Sequence, residues 1–85
     1  MKCTVRFTDG QSEREYDSIQ AAARALLGEY PDGVIYDAGG FDRDPDDADF
    51  TYDVRDGRAG LVWATEAESR NDAGANAVAA IEVEQ

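Results

Sequence analysis

The chain has 85 residues and a formal charge of −11, from 19 Asp plus Glu against 8 Lys plus Arg. At 42% hydrophobic it is too apolar for a disordered acidic tail, and its length allows one domain with a small core. The charge argues against nucleic acid, an anionic membrane or an acidic substrate as a direct partner.

The opening segment, MKCTVRFTDG, has no apolar h-region, and no apolar run approaches the roughly 20 residues needed to span a bilayer. The expected location is therefore the cytoplasm. There is no histidine, and the single cysteine, Cys3, has no partner for an internal disulfide. In that compartment it reads as a small core hydrophobe.

Residues 2–17 read as a β-hairpin. Asp9-Gly10 is a dipeptide favoured in two-residue type I′ turns, whose central positions both take positive φ. Such a turn places position i opposite 19 − i. Cys3, Val5, Phe7 and Tyr16 then share a core face, while Lys2 faces Asp17, Thr4 faces Glu15 and Arg6 faces Glu13 on the other. Residues 18–30 follow as a helix capped by Asp17 or Ser18, with Ile19, Ala22, Ala23, Leu26, Leu27 and Tyr30 on one stripe. Pro31 stops it.

Val34–Tyr36 reads as a short strand. The segment AGGFDRDPDDAD (38–49) disfavours both helix and strand. A second Asp-Gly turn, Asp56-Gly57, predicts a hairpin with i opposite 113 − i. Its core face carries Phe50, Tyr52, Val54, Ala59, Leu61 and Trp63, and its outer face includes Val62. The last element is expected to be a helix over 69–83, begun by Ser69 and Asp72 at capping-box spacing, with Ala73, Ala77, Val78 and Ile81 on one side. The resulting order, β-β-α-β-β-β-α, predicts a single α+β domain: a mostly antiparallel sheet with both helices on one face.

Catalytic equipment is missing. No histidine is available for general acid–base work, and Cys3 falls on a core face rather than beside a base. No spacing selects a carboxylate pair for hydrolysis, and no glycine motif cradles phosphate. Asp42, Asp44 and Asp46 with Asp53 match parts of an EF-hand loop. However, Pro45 and Asp47 stand where the turn must form and the flanks read as strands, so no metal or other cofactor is expected.

Charge is distributed unevenly. Residues 32–56 hold nine aspartates, no glutamate, Arg43 and Arg55, giving −7 of the total −11 in 25 residues. In an extended segment alternate side chains lie about 6.6 Å apart on one side. Asp42, Asp44 and Asp46 would then form a row of charge comparable with successive phosphates. The candidate partner-binding residues are Asp37, Asp42, Asp44, Asp46, Asp47, Asp49 and Asp53, with Tyr36 and Phe41 as aromatic anchors.

In size, charge and organisation the chain resembles the small phage-encoded inhibitors of host defence, in particular the DNA-mimic anti-CRISPR proteins. The resemblance implies a stoichiometric, non-catalytic inhibitor acting in the host cytoplasm as a monomer or homodimer. Its target would be a basic nucleic-acid-binding protein or complex such as a CRISPR effector. A second reading rests on composition alone. One Lys against seven Arg, and twelve Asp against seven Glu, also fit a structural or housekeeping domain adapted to high salt.

Overall fold

The computed structural model describes residues 2–46, 54, 57–70 and 77–83. Among these residues five strands and two helices run β1 (Cys3–Phe7), β2 (Arg14–Tyr16), α1 (Ile19–Glu29), β3 (Val34–Asp37), β4 (Arg58–Trp63), α2 (Glu66–Arg70) and β5 (Ala79–Val83). The strands form one antiparallel sheet in the order β2-β1-β5-β4-β3. This is the expected α+β class.

The first hairpin has the expected register, Cys3 opposite Tyr16, Thr4 opposite Glu15 and Val5 opposite Arg14. Its turn differs. The Gly10 N–H donates to the Phe7 carbonyl at 3.4 Å, so Thr8 and Asp9 are the central residues, with Gly10 following at φ 87°. The Asp9 carboxylate accepts from the backbone and side-chain amides of Gln11. The ladder to β2 covers Cys3–Val5, whereas β5, on the opposite edge of β1, pairs along Cys3–Phe7. The Thr8 N–H and hydroxyl donate to the carbonyls of Val78 and Ala77, at 3.0 and 2.6 Å. Arg6 pairs with Glu13 at 2.7 Å as expected, and also with Glu82 on β5 at 2.6 Å. Lys2 pairs with Glu15 at 3.5 Å, where Asp17 was expected.

Helix α1 starts at Ser18, whose hydroxyl accepts from the Ala21 N–H at 3.0 Å. Its Ile19, Ala22, Ala23 and Leu26 are buried against Cys3, Val5, Phe7, Ile35, Val62, Ala79, Ile81 and Val83. The alanines allow α1 to lie close to the sheet, and they contribute little side-chain entropy loss on burial. Arg14, at the sheet edge, places its guanidinium over the Phe7 ring at 4.8 Å from the centroid and pairs with Glu29 of α1.

Two expectations in the second half are corrected. Residues 79–83 form β5, the central strand, and not the end of a helix over 69–83. The alternation of buried Ala79, Ile81 and Val83 has the strand period of two, and β1 and β4 satisfy both edges of the segment. Among the described residues, the helix next to this region is the short α2, where the Thr65 hydroxyl accepts from the Glu68 N–H at 3.3 Å in the manner of an N-cap. The Ser69 hydroxyl, expected to cap, donates to the Glu66 carbonyl at 2.6 Å and lies 3.4 Å from the Tyr36 hydroxyl. Tyr36 alternates with Ile35, which packs under α1, so this contact sets α2 against the opposite side of the sheet. The helices therefore do not share one face.

The second correction concerns β4. The first strand of the expected hairpin lies outside the described residues except Val54, which packs against the core. Its second strand is present, but both edges of β4 are occupied: Leu61 pairs with Tyr36 of β3 and with Ala80 of β5. A register irregularity between Arg58 and Gly60 turns fully buried Val62 into the main core, on the face opposite the one expected. Trp63 is buried on the other side, its ring edge-on to Tyr36 at 5.4 Å and 84°.

Candidate functional site

The acidic segment begins as a hairpin arm on the outer edge of β3. Asp37 donates its N–H to the Phe41 carbonyl at 2.9 Å, and its own carbonyl accepts from the Gly40 N–H at 3.0 Å. Gly40 sits at φ 85°, a conformation costly for any residue with a β-carbon. Tyr36 then bridges Asp42, and the Arg43 N–H donates to the Ile35 carbonyl at 2.8 Å. Residues 38–40 thus form a three-residue hairpin loop between Asp37 and Phe41, ending in Gly40, the type in which a turn is followed by a left-handed bulge. An irregular loop was expected from residue 38. The segment D-A-G-G, with Asp opening the turn and Gly in its left-handed position, is the signal that the sequence reading missed.

Asp37 holds this arm. Its side chain has 0% of its surface exposed, and one oxygen, Oδ1, accepts from the N–H groups of Gly39 at 2.8 Å and Phe41 at 3.0 Å. The other, Oδ2, accepts from the Nε of Arg43, a side chain only 20% exposed. A carboxylate sealed in this way is bound to its own chain and cannot be offered to a partner. Asp37 therefore leaves the set of expected contact residues and becomes the support of the others.

The remaining candidates divide. Asp42 and Asp44 are exposed, and neither has an ion-pair partner among the described residues. The Asp44 carboxylate accepts from the Asp46 N–H at 3.0 Å, where the chain turns at Pro45. This turn ends the extended run, so Asp46 does not continue a straight row with Asp42 and Asp44. Its carboxylate pairs with Arg24 of α1 and ties the arm back to the helix. Asp47, Asp49 and Asp53 lie outside the described residues. The aromatics divide as well: Tyr36 is engaged with Trp63 and Ser69, whereas Phe41 at the base of the turn is 65% exposed.

Between the arm and the end of α1 lies an open cleft of about 470 Å³, lined in part by Leu27, Val34, Ile35, Asp42, Asp44 and Pro45. Among the described residues no group of three or more metal-ligating side chains comes together, and no helix is long and apolar enough to cross a membrane. Comparison with protein families, curated proteins and solved structures finds no match to this chain.

Proposed function

We propose that the protein is a non-catalytic acidic binding module that inhibits a nucleic-acid-binding machine by occupying its basic DNA or RNA channel. A CRISPR effector is the target implied by the chain's resemblance to DNA-mimic inhibitors. The observation that carries this reading is the arm itself. Its carboxylates at positions 42 and 44 have no ion-pair partner among the described residues, on a backbone braced by the buried Asp37–Arg43 pair. Surface charge that serves solvation alone needs no such brace. A channel built for phosphates presents Lys and Arg arrays that a carboxylate surface engages, and opposite fields steer the two together.

The test is affinity capture from a host lysate, with Asp42→Lys/Asp44→Lys as the control. The wild type should retain a basic nucleic-acid-binding partner and block its nucleic-acid binding, more weakly as salt rises. The reversed variant should lose the partner while unfolding at an unchanged denaturant midpoint. Recovery of the same proteins by both chains would refute the proposal.

One observation favours the high-salt reading. Lys2, Arg6, Arg14, Arg24 and Arg43 are all taken up in ion pairs within the chain, which leaves the surplus carboxylates to water and counterions. Melting curves across a salt series separate the two readings. A domain adapted to brine loses its fold in dilute buffer, whereas a channel-blocking inhibitor remains folded there.

A further inference from the structure

The acidic arm that carries Asp42 and Asp44, which have no ion-pair partner among the described residues, also presents an apolar group. Among the described residues Phe41 is the exposed large hydrophobic side chain, at 65%. Its backbone is held at two points by Asp37, which accepts its N–H at 3.0 Å and donates to its carbonyl at 2.9 Å. The Arg43 guanidinium, itself fixed by Asp37, lies 5.9 Å from the ring centroid. The ring is thus carried on a pinned backbone, so little further ordering of the main chain is required when it is covered.

We infer that Phe41 is the apolar anchor of the acidic surface and seats in an apolar pocket rimmed by Lys or Arg side chains on a partner protein. This rests on the reading of the arm as a binding element and adds the shape of its target. Charge complementarity sets the rim: the Arg43 cation near the ring is already paired with Asp37, so the net charge of the arm at positions 41–44 comes from Asp42 and Asp44. Exposed carboxylates mainly raise the association rate and fix register, whereas aromatic anchors in desolvated pockets dominate affinity. Tyr36 cannot take this role, since its ring packs on Trp63 and its hydroxyl meets Ser69.

The probe is a pair of synthetic peptides with identical arginine content, one with three leucines at its centre and the other with three glycines. Wild-type protein should bind the leucine peptide about 10-fold more tightly, the margin expected of one good aromatic contact. Phe41→Ala should lose that margin and keep its affinity for the glycine peptide, while Phe41→Leu keeps most of it. Equal wild-type affinity for the two peptides, or a margin that survives Phe41→Ala, overturns the inference. The acidic reading is tested separately: Asp42→Lys/Asp44→Lys should weaken both peptides, and it is that reading that fails if neither is weakened. Sedimentation of wild type and Phe41→Ala supplies the last check. A dimer that depends on Phe41 would mean that a second copy covers the ring, and this also overturns the inference.

Discussion

Asp37 shows how one residue in an acidic run can differ from its neighbours. Sequence composition places it among nine similar aspartates, yet its carboxylate has three donors and no exposed surface. Asp37→Ala leaves the Arg43 guanidinium and the N–H groups of Gly39 and Phe41 without their acceptor. It should cost about 3–5 kcal/mol, the usual result of breaking one side of a buried charge pair. Asp37→Asn keeps an oxygen for the turn and gives up the charge, so the loss should be smaller, about 1–3 kcal/mol. Urea unfolding of both variants measures the difference. An Asn variant as unstable as the Ala variant would locate the stabilisation in the ion pair and remove the turn from the account. The aspartate was legible in the sequence. Its burial was not, because burial depends on Arg43 folding back across the hairpin, a contact that residue counts do not specify.

Among the elements, those fixed by local chemistry were readable and those fixed by neighbours were not. The Ser18 cap, the apolar stripe of α1 and the register of the first hairpin follow from short-range patterns, and each is present. Residues 79–83 were misread because alanines fit a helical stripe and a strand alternation equally well. The partners that decide between them, β1 and β4, are far away in sequence. Thr65 and Glu68 have capping-box spacing and mark the true helix start, four residues before Ser69. For the acidic surface, the sequence located the concentration of charge but not the turn at Pro45 that separates Asp46 from Asp42 and Asp44. The central position of β5 also sets its energetics. Ile81 is fully buried between β1 and β4, so Ile81→Ala should cost about 2–5 kcal/mol. Against a total of roughly 5–15 kcal/mol for a domain, equilibrium unfolding should show a large shift in midpoint. An effect below about 1 kcal/mol would mean that the central strand can collapse around the lost methyl groups.

At the scale of the whole molecule, Cys3 offers a reporter of global opening. It is 1% exposed and lies under α1 in the main core, and burial pushes its thiol above the ordinary value of 9.0. Labelling by a thiol reagent in native buffer should therefore proceed at the rate of global unfolding and slow wherever the fold is stabilised. Fast labelling, unchanged by denaturant, would show local opening of β1. The raised value also gives a pH dependence. The neutral thiol is the form the fold prefers, so this contribution is complete below pH 9.0 and is lost as pH rises through the raised value. Cys3→Ala should remove that alkaline component from a denaturation series and leave acid unfolding unchanged.

The pairing of β1 with β5 has a consequence for the order of assembly. The ribosome releases Cys3–Phe7 well before Ala79–Val83, the strand that covers one edge of β1. Until then the first hairpin and α1 can form only a partial unit, with a bare strand edge that invites pairing with other chains. Native closure waits on a contact between distant parts of the sequence, which slows it and delays it until β5 is available. A chain stalled before residue 79 has every local element of the first half and still no sheet centre to join it to the second.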